Sequence, residues 1–160
     1  MKNPAVCFTG HRSIPADRIE RLKNLLPVLL ERLYSGGYRV FRTGGAVGFD
    51  MLAGEAVTGL KSVHPDVSLE IFLPCRGSSD RWSAEQKKRQ SALLAQASAV
   101  NVLSEYYYDG CMMVRNRKMV DSCGLCVSYC RRLSGGGTYG TVCYALGKGL
   151  PLINIGEEIE

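Results

Sequence analysis

No long apolar run interrupts this 160-residue sequence, and none approaches the roughly 18 consecutive apolar residues that a membrane helix requires. The opening Met-Lys-Asn-Pro, followed by the short run Ala5 to Phe8, also lacks the apolar segment of a secretory leader. A cytoplasmic protein with no membrane partner is the expectation. Histidine is scarce, at two residues, and Cys123 with Cys126 forms the one Cys-x-x-Cys pair. Cys130 follows four residues later, but no second pair or nearby His completes a zinc site, so no metal is expected. Leu125, Val127 and Tyr129 alternate with Cys126, Ser128 and Cys130 as a buried strand would, which makes these thiols small core residues. Seven cysteines, an odd number, argue against a fully paired disulfide scaffold.

Two familiar phosphate motifs are missing as well. No Gly-Lys-Ser/Thr follows a glycine at P-loop spacing, and Thr43 stands where the dinucleotide fingerprint needs its first glycine. A strong charge of one sign is also absent. The net charge of +5, from 20 Lys and Arg against 15 Asp and Glu, favours anionic partners such as nucleotides or nucleic acid without choosing between them. No linker, repeat or low-complexity segment divides the chain, so residues 1–160 read as one domain. At 46% hydrophobic such a chain can bury about two thirds of its unfolded surface.

What is present is a regular alternation. Runs rich in β-branched and apolar residues fall at Ala5 to Thr9, Tyr38 to Arg42, Ser68 to Leu73, Ala99 to Leu103, Leu125 to Tyr129 and Leu152 to Ile155. Helical patterns separate them near Ala16 to Tyr34, Gly48 to Leu60, Ala84 to Gln96, Gly110 to Ser122 and Thr138 to Lys148. Six strands alternating with five helices predict an α/β domain of three layers, with a doubly wound, mostly parallel sheet and right-handed crossovers. Within the first helical pattern, Ile19, Leu22, Leu26, Leu29, Leu30 and Leu33 form one stripe, and Gly36-Gly37 supplies the stop. Pro27 removes a hydrogen bond inside that pattern, so a kink or a junction of two shorter helices is expected there.

Three glycine-bearing turns follow predicted strands: Thr9-Gly10-His11-Arg12, Thr43 through Gly44, Gly45 and Gly48 to Asp50, and Gly135, Gly136, Gly137, Thr138 to Thr141. In a parallel sheet all of them lie on one edge, where helix N-termini offer unpaired N–H groups to an anion. A phosphate-bearing small ligand is the simplest occupant. Arg12 can clamp its phosphate, and His11 can bind it or transfer a proton. Arg115, with Met119 one turn on, can reach the same ligand while the methionine packs below, and Asn116 and Arg117 lie beside it. Asp50 can cap its helix or hold ribose hydroxyls. Trp82 and Tyr107 fall on the same lip as candidates for stacking on a base.

Taken together, Cys7-Phe-Thr-Gly-His-Arg12, Gly44 to Asp50, Leu73-Pro-Cys75 with Trp82, Tyr107 to Met119, and Gly136-Gly-Thr138 with Thr141 resemble the bacterial YpsA-like family. That family belongs to the Rossmann-like SLOG superfamily, shared with the DNA-processing protein DprA and the cytokinin-activating LOG enzymes. The resemblance implies a domain that binds or senses a nucleotide or nucleotide-derived ligand, ADP-ribose or NAD, with no obligatory cofactor. LOG enzymes use an Arg in an Arg-x-x-x-Met segment and a Glu after a Gly-Gly-x-Gly-Thr turn. Arg115 and Met119 match the first, but Val142, Cys143 and Tyr144 follow Gly140-Thr141, so the acid is missing. The reading therefore leans towards a binder, with a nucleotide N-glycosidase or phosphohydrolase using Glu55, Asp50 or His11 as the alternative. Single-stranded nucleic acid binding, as in DprA, stands behind both, with Arg76, Arg81, Trp82, Lys87, Lys88 and Arg89 as its track. Relatives in the superfamily often dimerise, so a homodimer is one implied assembly.

Overall fold

The computed structural model describes residues 3–131 and 136–156. Alternating strands and helices follow one another from β1 (Ala5–Gly10) through α1 (Ala16–Ser35), β2 (Val40–Thr43), α2 (Phe49–Val63) and β3 (Ser68–Leu73). They continue with α3 (Ala84–Gln96), β4 (Ala99–Val102), α4 (Cys111–Asp121), β5 (Leu125–Tyr129), α5 (Gly137–Gly147) and β6 (Leu152–Asn154). All strand pairs are parallel, in the order β4-β3-β2-β1-β5-β6. The chain winds outward from β1 to β4 and then crosses back to β5 on the other side of β1. That reversal makes the carboxyl ends of β1 and β5 the switch point of the sheet, where ligands of open α/β folds bind.

Helices on both faces explain why β1 and β5 carry no polar face. Val6, Phe8, Leu125, Val127 and Tyr129 pack under α1 and α2 with Phe41, while Ala5, Cys7 and Cys126 pack under α4 and α5 with Met119 and Ala145. The cysteine alternation read from the sequence is this division between two buried faces.

Helix α1 buries Leu22, Leu26, Leu30 and Leu33 and runs unbroken past Pro27. Pro27 and Lys23 lie on the exposed face, so the carbonyl deprived of its partner is on the watered side, and the packed leucine stripe holds the helix as one element. Helix α3 starts at a capping box in which Ser83 Oγ accepts from the Gln86 backbone at 3.2 Å and Gln86 Oε1 accepts from the Ser83 backbone at 3.1 Å. Truncation of the stripe should show its weight. Leu30→Ala is expected to cost about 3 kcal/mol, seen as a lower urea midpoint with an unchanged denaturant slope.

Candidate functional site

The turn after β1 and the turn before α2 are locked together. Gly48 has φ +86°, and a Cβ there would run into the carbonyl oxygens of His11 and Arg12, so only glycine fits. Phe49 N–H donates to His11 O at 3.0 Å, and a Cβ on Gly10 would strike the Phe49 ring. The third turn enters α5 at Gly136, φ +84°. Among the described residues no side chain caps its first backbone N–H groups, the kind of donors an anion takes. Gly135 lies outside the described residues.

These turns and the first half of α4 enclose a cavity of about 240 Å³. Thr9, Gly10, His11 and Arg12 line it from β1, Ala46 and Asp50 from the second turn, Met112, Arg115 and Asn116 from α4, and Gly136, Gly137 and Thr138 from α5. Arg115 is 4% exposed. Its Nη1 donates to Gly44 O at 2.9 Å and Phe72 O at 3.1 Å, and its Nε donates to Asn116 Oδ1 at 2.7 Å. Asn116 Nδ2 in turn donates to Thr141 Oγ1 at 2.9 Å, and that hydroxyl donates to Gly137 O at 2.8 Å. One hydrogen-bonded chain thus links the second turn to the third through a buried guanidinium. Gly44 has no room for a side chain, since a Cβ would meet Arg115 Nη1 and lie 2.6 Å from Asp50 Oδ2.

Asp50 is the carboxylate of the cavity. Burial pushes its pKa up from 3.8 to about 6, against the opposing pull of Arg115, the Ala46 backbone N–H and Arg12. Burial likewise lowers the Arg115 pKa, with Arg12 adding to the fall and Asp50 opposing it. His11 Nε2 accepts from the Arg131 backbone N–H at 2.9 Å, so that nitrogen carries no proton and ties the ends of β1 and β5 together. Beneath it, the His11 and Tyr129 rings meet edge to face at 5.7 Å.

Residues 6–129 match the model of the YpsA family, described as the YspA SLOG family. The chain belongs to that family. Among similar proteins, a UPF0398 protein of Staphylococcus saprophyticus is 26% identical over 66% of this chain and 60% of its own. The uncharacterised prophage-derived protein YoqJ of Bacillus subtilis is 33% identical over 63% of this chain and 67% of its own. Of solved structures, DNA processing protein A (DprA) of Streptococcus pneumoniae aligns with TM-score 0.63 and 19% identity, over 94% of this chain and 50% of that one. The Helicobacter pylori DprA, described for its single-stranded DNA binding mode, aligns with TM-score 0.60 and 22% identity, over 94% and 64%. These likenesses establish a Rossmann-like fold of the DprA kind. The chain spans about 60% of the Staphylococcus relative. Among the described residues no helix is long and apolar enough to cross a membrane.

Some residues singled out in this YspA SLOG chain stand apart from the cavity. Glu55 faces the other side of α2, where Arg89 Nη2 holds it in an ion pair of 2.5 Å. Arg117 points away along α4, its guanidinium 5.0 Å from the Tyr144 ring, because a step of two residues turns it off the face shared by Met112, Arg115 and Asn116. Trp82 is half-buried against the core and lines a recess behind Arg12, Ala46 and Met112. Tyr107 is 65% exposed on the β4–α4 loop and lines none of the cavity. Gly45 contributes a carbonyl to Gln90 Nε2 at 3.1 Å. Met119 packs below Arg115 in the core, and Tyr144, after the turn where LOG enzymes carry their acid, donates its hydroxyl to Asp121 at 2.7 Å. Ala46, Met112 and Gln90 escaped the sequence reading. Met112 was accessible from its spacing to Asn116, whereas nothing local marks Gln90 as buried.

Asp50 makes a pH test. The unfolded carboxyl loses its proton near pH 3.8 and the folded one near 6, so between those values the folded state holds the extra proton. Stability contributed by this group is present below pH 3.8 and lost as pH rises through 6, by on the order of 3 kcal/mol. The difference in unfolding free energy between Asp50→Asn and the parent should swing in favour of the variant over that window. A difference independent of pH would contradict the buried, ionisable assignment.

Proposed function

We propose that this protein binds or senses a small nucleotide-derived ligand of the ADP-ribose or NAD type, with an anionic group seated between Arg12 and Arg115. The observation that carries the reading is a nearly buried guanidinium lining a cavity that an uncapped helix N-terminus also faces. Burying an arginine is costly unless opposite charge compensates it, and one partly neutralised Asp50 beside two arginines leaves room for further negative charge. The cavity, about 240 Å³, is smaller than the roughly 300–1,000 Å³ of sites for whole drug-sized ligands. It therefore suits a phosphate and part of a ribose, with the remainder of the ligand lying across the lip towards Trp82 and Tyr107. Membership of the YspA SLOG family and the DprA-like fold support a ligand at this edge.

Thermal shift against AMP, ADP, NAD, ADP-ribose, cyclic nucleotides and a short oligonucleotide tests the proposal. At a hundredfold its dissociation constant a ligand should stabilise by about 2.7 kcal/mol, several degrees for a domain of this size. Arg12→Ala, an exposed position, should abolish the shift and leave the unliganded melting temperature close to the parent value. An absence of any shift across the panel would remove the reading. A response to the oligonucleotide alone would move it to single-stranded DNA, as described for the Helicobacter pylori protein. The basic track for such binding is weakened by the pairing of Arg76 with Glu105 and of Arg89 with Glu55.

Asp50 favours one second reading, nucleotide hydrolysis. A buried carboxyl with pKa about 6 is suited to proton transfer near neutral pH, whereas Glu55 is held outside the cavity by Arg89. If AMP, NAD or ADP-ribose is turned over, Asp50→Asn should reduce kcat at least a hundredfold and Glu55→Gln should leave it near the parent value. The reverse ranking, read by product chromatography, would exclude this mechanism.

A further inference from the structure

On the sheet face opposite α1 and α2, three cysteines meet under the C-terminal end of α4. Cys7 pairs in register with Cys126 across β1 and β5, and with Arg42 across β1 and β2. Cys123 follows α4 and is 7% exposed, while Cys7 and Cys126 are fully enclosed. Cys7 packs with both of the others in one buried cluster. Arg42 Nη1 lies 3.7 Å from Cys123 Sγ and also donates to Ser122 O at 2.7 Å and Ser122 Oγ at 3.1 Å. Glu70 Oε1 fixes the Arg42 Nε at 2.6 Å, so the guanidinium is held in place against the sulfur. Neighbouring Asp121 is engaged by Tyr144 and Lys148.

The two central thiols are chemically unlike. The hydrogen bond from Cys7 is the largest influence lowering the Cys123 pKa, burial opposes it, and Arg42 and Ser122 add to the fall, which brings it to about 7. Cys7 moves the other way, raised by its hydrogen bonds to Cys123 and Cys126 and by burial. One sulfur is therefore poised as a thiolate beside a cation, and its neighbour keeps a proton to give. A thiolate next to a protonated thiol is the arrangement of an attacking and a resolving cysteine. Nothing in the ligand cavity uses either residue.

We propose that Cys123 and Cys7 form a peroxide-reactive thiol pair, with Cys123 as the attacking and Cys7 as the resolving cysteine. The Cys123 thiolate attacks one oxygen of a hydroperoxide. The S–O bond forms, the O–O bond breaks, and the departing alkoxide or hydroxide takes a proton from water. Sulfur is oxidised to the sulfenic acid and the peroxide is reduced. The Cys7 thiol then attacks the oxidised sulfur, the S–S bond forms, and hydroxide leaves with the Cys7 proton as water. The resulting disulfide joins β1 to the end of the helix that carries Arg115 and Asn116.

The test uses the full chain with its exposed Cys143 replaced, Cys143→Ser, treated near neutral pH with a small molar excess of hydrogen peroxide. Alkylation and non-reducing peptide mapping then locate the linkage. A Cys7–Cys123 disulfide is expected, formed before any link between Cys75 and Cys111, since burial raises the Cys75 pKa. Adding Cys7→Ser should abolish the disulfide and leave Cys123 as a sulfenic acid trapped by dimedone. Arg42→Met should slow the reaction roughly tenfold, the loss of thiolate that one pKa unit brings, while Arg42→Lys keeps most of the rate. Recovery of all buried thiols unmodified, a different linked pair, or overoxidation of Cys123 with Cys7 still reduced would each overturn the proposal.

Discussion

The buried guanidinium of Arg115 is the interaction on which the switch-point edge of the sheet depends. It reaches from α4 across the ends of β2 and β3 to the Gly44 and Phe72 carbonyls, and through Asn116 it governs Thr141 at the start of α5. The contacts to Gly44, Phe72 and Thr141 join segments far apart in sequence, so the second and third turns are related to one another through a single side chain and its neighbour Asn116. A charge buried in this way requires compensation. Asp50 supplies part of it while itself partly neutralised by burial. The result is a small polar cavity in which Asp50 faces Arg12 and Arg115.

The same economy governs the backbone. At Gly10, Gly44 and Gly48 the absence of a Cβ is required by close packing against Phe49, Arg115 with Asp50, and the carbonyls of His11 and Arg12, respectively. Those glycines bring the exit of β1 within hydrogen-bonding distance of the start of α2. At Gly136 a Cβ would meet no described atom, and the positive φ instead turns the chain into α5, whose Gly137 and Thr138 line the cavity. Glycines that look alike in the sequence thus do two kinds of work, close approach in the first two turns and chain reversal into α5 in the third.

The two faces of the sheet carry different chemistry. Under α1 and α2 the core is aliphatic and aromatic, with Phe8 and Phe41 rings 6.3 Å apart and Phe49 and Tyr129 at 5.8 Å. Under α4 and α5 it gathers Cys7, Cys123 and Cys126 with Ala5, Met119, Val120 and Ala145. From α4, above these residues, Arg115 reaches the Phe72 carbonyl of β3. The same cluster places thiols beside Arg42, a cation held by Glu70 for reasons of strand pairing.

The order of elements, their periods and the sheet edge on which the glycine turns lie were set by local sequence, because strand alternation, helical stripes and strand-to-helix turns depend on neighbours a few residues away. The boundaries of β3, α3 and β5 could be read directly for that reason. At Pro27 the junction of two shorter helices does not form, since the breaking tendency of one exposed proline is outweighed by four buried leucines on the opposite face of α1. Arg115, Asp50 and Asn116 were legible as candidates. The union of Arg115 and Asn116 with Thr141 into one hydrogen-bonded chain was not, and neither was the diversion of Glu55 to Arg89 or of Arg117 to Tyr144. A long charged side chain can serve several partners, and the choice is made by which strands and helices become neighbours. That choice belongs to the packing of β1 between β2 and β5, which no local pattern encodes.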